Sequence, residues 1–210
     1  MVDLYLVTDE ALCLGRSLEE VVEQAARGGV TMVQLREKDM KTRDFIRRAV
    51  EVRKILSRYG IPLIVNDRVD VALAIEADGV HIGQSDMPYE YVRKIIPGSM
   101  ILGLSVETVE QVAEAEDYDL DYVSLSPLFF TPTKTDLYRE WGIAGLEEVC
   151  KRSRHTVIAI GGINASNAAD VIGAGAAGIA VVSAICSAPD PEHESGKLIS
   201  IIQEAKKHHP

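Results

Sequence analysis

Gln34, Arg36 and Lys38 alternate along the run Gln34-Leu35-Arg36-Glu37-Lys38. In an extended chain, side chains two residues apart point the same way. Two cations on an inward face are costly unless an anion meets them; the alternative is pairing with Glu37, Asp39 or a carboxylate across the fold. Asp67 and Asp86 each follow a short apolar run. Two hard carboxylates near a bound phosphate suit Mg2+, which takes one or two carboxylates, substrate oxygens and water. Taken singly, Asp67 reads equally well as a helix N-cap and Asp86 as a loop residue. Gly161-Gly162 and Ser183 offer bare backbone N–H groups and a hydroxyl to a phosphate dianion. Two anion sites follow. One joins Arg36, Lys38 and Lys134 with a metal and suits a pyrophosphate; the other uses neutral donors and suits a monophosphate. No Ser–His–Asp or Cys–His arrangement accompanies them. His81 lies inside an apolar run and reads as a hydrogen-bonded core histidine, while His155, His193, His208 and His209 read as surface residues. Charge-stabilising groups without a nucleophile point to departure of a leaving group as the main event.

These residues need a scaffold that brings them together. They close short apolar runs that recur roughly every 25 residues. The runs span 4–7, 31–35, 61–65, 79–82, 100–104, 122–125, 156–160 and 178–182. Helical patterns separate them. Ser17-Leu18-Glu19-Glu20 reads as a capping box, followed by Leu18, Val21, Val22 and Ala25 at helical spacing. Phe45, Ala49, Val52 and Leu56 mark the second helix, Asn164 is expected to cap the seventh, and Leu198, Ile201 and Ile202 mark the last. The alternation predicts eight parallel strands and eight helices in a single-domain (β/α)8 TIM barrel over residues 1–210. Such a barrel builds its active site at the carboxyl ends of its strands. A doubly wound open sheet would gather the polar ends at one switch point instead. Between Ser126 and Ile143 no period is evident, and a connection this long is expected to act as a lid or binding loop.

A net charge of -10 argues against a nucleic-acid surface, which needs excess Lys and Arg. Cys13, Cys150 and Cys186 match no zinc spacing and are expected to be reduced and mostly buried. No apolar stretch approaches the ~20 residues of a membrane span, and Met1-Val2-Asp3-Leu4 lacks a basic signal-peptide start. The expectation is a cytoplasmic protein with small phosphorylated ligands and no membrane partner; a homo-oligomer is compatible with the composition.

The runs Tyr5-Leu6-Val7-Thr8-Asp9, Gln34-Leu35-Arg36-Glu37-Lys38, Asn66-Asp67, His81-Ile82-Gly83-Gln84 with Asp86, Thr131-Pro132-Thr133-Lys134 and Ile160-Gly161-Gly162-Ile163 together resemble the thiamine-phosphate synthase (thiamine phosphate pyrophosphorylase) family over essentially the full length. The resemblance implies a transferase of thiamine biosynthesis. Its reaction joins 4-amino-2-methyl-5-hydroxymethylpyrimidine diphosphate to 4-methyl-5-(2-phosphoethyl)thiazole, or its carboxylated form, and releases pyrophosphate with Mg2+ as cofactor. By position, the resemblance assigns Gln34, Arg36, Lys38, Asn66, Ser105 and Lys134 to the pyrimidine diphosphate. It assigns Asp67 and Asp86 to Mg2+, and Thr131, Thr133, Gly162, Val182 and Ser183 to the thiazole phosphate. Two departures stand out. Ser126-Pro127-Leu128-Phe129-Phe130 replaces a Gly-Pro-Ile-Phe-Pro type stretch, and Glu107 stands where the family often carries His. A thiazole tautomerase of the same fold would need only the monophosphate site and as a rule lacks the Thr-x-Thr-Lys stretch. A non-catalytic phosphate-ligand sensor would have no use for a complete metal-plus-cation set.

Overall fold

The computed structural model describes residues 2–130 and 140–208. Its strands are β1 (Leu4–Val7), β2 (Met32–Leu35), β3 (Leu63–Asn66), β4 (Gly79–Ile82), β5 (Ile101–Val106), β6 (Tyr122–Leu125), β7 (Thr156–Ile160) and β8 (Gly178–Val181). They pair in chain order and close into a parallel barrel, with Leu4 facing Ile179 across the β1–β8 seam. The (β/α)8 expectation therefore holds. Two strands shift in a way that matters for the site. β3 begins after Pro62, which has no N–H for the ladder, and runs on to Asn66, registered against His81. β5 runs past the expected end to Val106, so Ser105 is held in the ladder opposite Ser124.

Alternation along the strands sorts side chains into two cores. Leu4, Leu6, Val33, Leu35, Leu63, Val65, Leu102 and Leu104 face outward under the helices. Tyr5, Val7, Met32, Ile64, Tyr122, Ile158 and Ala180 fill the barrel interior. Tyr122 needs a gap to lie there. A Cβ on Gly103 would sit 2.1 Å from Tyr122 Cζ, so only glycine leaves room for the ring.

The helices are α1 (Leu18–Arg27), α2 (Thr42–Ser57), α3 (Val69–Ala74), α4 (Tyr89–Ile95), α5 (Val109–Ala115), α6 (Gly142–Arg152), α7 (Ala168–Gly173), α8 (Ser183–Cys186) and α9 (Pro191–His208). A short 3-10 turn at Glu10–Leu12 precedes α1. This turn and the single turn α8 are additions to the eight expected helices. Ser17 does cap α1, accepting from the Glu20 N–H at 3.1 Å. The return arm of the expected box is absent from the cap, and Glu20 accepts instead from Gln24 Nε2 at 3.1 Å. A complete capping box sits on α5, between Thr108 and Gln111. Asn167, not Asn164, is the N-cap of α7; Asn164 organises the preceding turn, its carbonyl accepting from the Asn167 and Ala168 N–H groups. Cys13 and Cys186 are buried and Cys150 half-buried, all as free thiols. Among the described residues no helix is long and apolar enough to cross a membrane.

Candidate active site

A cavity of about 430 Å³ opens at the carboxyl ends of the strands. Gln34, Arg36, Asn66, Ser105, Gly162, Val182 and Ser183, expected from the sequence as site residues, all line it. Gln34 points inward from β2 and is buried, its Nε2 donating to the Tyr5 hydroxyl at 2.8 Å. Asn66, the last residue of β3, is buried to 9% exposure. Arg36 lies just past β2, its backbone N–H donating to Thr8 Oγ1 at 3.0 Å. Its guanidinium is 4.0 Å from the Asp9 carboxylate, too far for a strong ion pair.

Lys38 departs from the simple strand picture. β2 ends at Leu35, so the two-residue alternation stops before Lys38, which is exposed and does not line the cavity. Its charge still reaches the rim, where it acts on Asp67 together with Arg36. Pairing of Arg36 or Lys38 with Glu37 is not what occurs. Glu37 accepts from Arg48 of α2 at 2.7 Å, and Arg48 also holds Glu10 at 2.7 Å. This cross-brace ties the segment that carries Arg36 to the turn after β1. Local sequence gives no signal for it, because its three members lie on separate elements.

Asp67 and Asp86 meet. The two carboxyl groups face each other closely enough for Asp86 to act on Asp67, and Asp86 accepts from the Gly83 N–H at 2.7 Å. Burial, then the facing Asp86, pushes the Asp67 carboxyl up to about 7, against a smaller opposing pull from Lys38 and Arg36. Asp67 is not the N-cap of α3; that position is Arg68, without a side-chain capping bond. Asp67 itself adopts φ +62, a left-handed backbone that a non-glycine residue seldom holds without a local reason. The donor chemistry fits Mg2+: two hard carboxylates whose mutual repulsion a divalent cation would relieve. Among the described residues no cluster of three His, Cys, Asp or Glu offers a fuller protein cage. A two-carboxylate set leaves the other positions to phosphate oxygens and water, which is the Mg2+ habit.

The part of the cavity past β7 is backbone. Gly161 and Gly162 follow β7 with φ +105 and +67. A Cβ on Gly162 would lie 2.8 Å from Phe129 Cβ and 2.9 Å from the Phe130 carbonyl. Phe129 is brought there by the departing strand segment, whose Leu128 and Phe129 N–H groups donate to Ile160 and Gly161 carbonyls at 2.8 and 3.1 Å. Ser126–Phe130 therefore runs alongside the end of β7. Phe130 then closes the base of the connection, its N–H donating to Glu140 at 2.8 Å. Thr131, Thr133 and Lys134 lie outside the described residues, as does Pro132. Ser183 opens α8 at the cavity edge, after Val182.

Sequence reasoning missed much of the cavity floor. Tyr5, His81, Ser124 and Ser126 line it beside the expected residues. His81 is a buried, hydrogen-bonded histidine as expected, but it is also cavity wall: Nδ1 is 3.0 Å from the Tyr122 hydroxyl and Nε2 2.8 Å from Ser105 Oγ. Period-two alternation marks Tyr5 and Tyr122 as sharing faces with other residues, but does not say which face is the interior. His155 is only partly at the surface, its Nε2 lying 2.8 Å from the Ala115 carbonyl.

A sequence model of the family described as thiamine monophosphate synthase matches residues 4–185. A thiamine-phosphate synthase of Albidiferax ferrireducens is 52% identical over 188 residues, covering 90% of this chain and 86% of its own. One from Vibrio parahaemolyticus is 51% identical over 199 residues, covering 95% and 97%. The solved thiamine phosphate pyrophosphorylase from Pyrococcus furiosus superposes with a TM-score of 0.90 at 38% identity, over 97% of this chain and 96% of that one.

Proposed function

This chain belongs to the thiamine monophosphate synthase family, and from that premise we propose how its cavity carries out the family's reaction. It is a transferase that makes thiamine phosphate and releases pyrophosphate. The substrates in this reading are 4-amino-2-methyl-5-hydroxymethylpyrimidine diphosphate and 4-methyl-5-(2-phosphoethyl)thiazole or its carboxylated form. One observation supports it above others: a single cavity is lined both by Arg36, just past β2, and by Gly162 and Ser183, just past β7 and β8. In this reading each group takes one anion, and the two rings share the cavity of about 430 Å³.

Gln34, Asn66 and Ser105 hold the pyrimidine, and Arg36, Lys38 and Lys134 meet its diphosphate. Gly162, Val182 and Ser183, with Thr131 and Thr133, hold the thiazole phosphate. Asp67 and Asp86 are the carboxylates that would hold Mg2+, which when bound supplies positive charge to the leaving pyrophosphate. Arg36, Lys38 and Lys134 stabilise the same developing charge from the protein side. The aminopyrimidine ring delocalises the cation left on its methylene carbon. The thiazole nitrogen, anchored through its phosphate, attacks that carbon without a separate encounter. No side chain needs to act as nucleophile.

The test is pyrophosphate release measured with each precursor alone and with both, with and without Mg2+. Release and thiamine phosphate formation requiring both precursors and the metal are expected. Isomerisation of the thiazole phosphate without pyrophosphate, or ligand binding without turnover, overturns the reading in favour of a tautomerase or a sensor.

A further inference from the structure

Five side chains form one hydrogen-bonded series across the barrel. Gln34 Nε2 donates to the Tyr5 hydroxyl at 2.8 Å, and the Tyr5 and Tyr122 hydroxyls lie 2.9 Å apart. The Tyr122 hydroxyl is 3.0 Å from His81 Nδ1, and His81 Nε2 is 2.8 Å from Ser105 Oγ. Gln34, Tyr5, Tyr122 and His81 are all buried. Both ends of the series, Gln34 and Ser105, line the cavity.

Such a series has a direction. Burial raises both tyrosines far above their ordinary range, so each hydroxyl keeps its one proton. A hydroxyl donates once, and a neutral imidazole carries one ring proton. Because the Gln34 amide nitrogen donates to Tyr5, the Tyr5 proton goes to Tyr122 and the Tyr122 proton to His81 Nδ1. In that direction a neutral His81 carries its proton on Nε2 and donates to Ser105 Oγ. Gln34 is left with its carbonyl oxygen as the acceptor for a ligand, and Ser105 with its hydroxyl proton as the donor. The opposite direction requires the amide to turn over and every proton to shift, which makes Gln34 the donor and Ser105 the acceptor. Two ends of the same kind would require both ring nitrogens of His81 to donate or both to accept, which a neutral imidazole with one ring proton does not do.

We propose that Tyr5, Tyr122 and His81 are positioning residues that fix the polarity of Gln34 and Ser105. The cavity thereby selects a heteroaromatic ring with a donor amino group and an acceptor ring nitrogen. It rejects the oxo counterpart, whose oxygen accepts and whose ring N–H donates. The inference rests on the pyrimidine diphosphate reading above and adds the residues that enforce its ring specificity, none of which need touch the reacting atoms.

Two measurements test it. Ring 15N shifts of the folded wild type, with His81 assigned by the resonance lost in His81→Asn, should show a protonated Nε2 and a bare Nδ1. Kinetics with the 4-amino and 4-oxo pyrimidine diphosphates should favour the amino ring by about ten-thousandfold in kcat/KM, as for sites built around a buried polar group. Tyr122→Phe and Tyr5→Phe should each narrow that ratio by about tenfold or more, with the KM for thiazole phosphate unchanged. A His81 protonated on Nδ1, or an unaltered ratio in both variants, overturns the inference. If neither variant folds, the wild-type tautomer decides alone. A wild type that makes thiamine phosphate from neither ring overturns the functional reading instead, so the two failures are separable.

Discussion

Asp67 and Asp86 put opposing demands on the protein: the pair suits a divalent cation, and without one it is a charge repulsion held in a half-buried place. The Asp67 carboxyl is pushed up to about 7 from an ordinary 3.8 by burial and by Asp86. A raised carboxyl favours the folded state while it is protonated, so that contribution is present at low pH and is lost as pH rises through about 7. The metal-free protein should therefore lose melting temperature over the window from about pH 4 to 7. Asp86→Asn should reduce that loss, because it removes the repelling partner but not the burial, while cutting turnover on the order of 100-fold or more. Adding Mg2+ at pH 8 should raise the wild-type Tm and leave the variant's nearly unmoved. Equal Mg2+ responses in the two would sink the pairing. A second contrast separates the anion sites. Lys134→Ala should raise the KM for the diphosphate substrate or lower its turnover. Ser183→Ala should mainly weaken thiazole phosphate binding, by about 1–3 kcal/mol for a hydrogen bond to a charged group. Steady-state kinetics varying one substrate at a time distinguishes them, and matching changes for the same substrate would contradict the two-site arrangement.

At the level of elements, the loops that carry charge are held by what lies behind them. Arg48 on α2 is largely covered, and its guanidinium reaches Glu37 and Glu10 at 2.7 Å each, with Glu19 at 3.6 Å. Arg48→Met keeps much of the aliphatic bulk and strands the Glu37 carboxylate beside Arg36. It should cost about 1–3 kcal/mol in a denaturant melt and raise the KM for the diphosphate substrate, with Arg48→Lys recovering part of both. A KM rise without loss of stability would mean that Arg48 acts on the ligand rather than on the loop. The sequence could not show this brace, since it depends on how far α2 rotates about its axis. The same limit explains Lys38: alternation is reliable only inside a ladder, and β2 stops at Leu35. It also explains Asn164, where a good capping residue sits one turn ahead of the helix it was expected to start. By contrast β1, β4, β6 and β7 were legible to the residue, because their apolar runs are bounded by polar or turn-forming neighbours. Ser105 read as a strand end because it is polar, yet β5 runs beyond it; a polar residue facing a wet cavity does not break a strand.

For the molecule as a whole, the eightfold alternation was legible because buried parallel strands are near-continuous apolar runs and crossover helices carry a single apolar stripe. What alternation cannot reveal is that the interior has a dry lower part, with Met32, Ile64 and Ile158, and a polar upper part, with Gln34, His81 and Ser105. That division depends on which strand end faces which, and so on the register of all eight strands together. Closure has one more consequence, in time rather than in space. Tyr5 finds its β2 partner, Met32, 27 residues along, but Leu4 meets Ile179 of β8 only after 175. Joining such distant ends costs about 2 kcal/mol more in chain entropy than joining near ones, so the seam should form last, after the rate-limiting step of folding. Lys206 of α9 bridges that seam, bound to the Asp3 carboxylate and the Ala177 carbonyl. Lys206→Ala should accordingly speed unfolding in stopped-flow traces and leave the refolding rate nearly unchanged. Slower refolding instead would place the seam in the nucleus, and the barrel would have to be closing early.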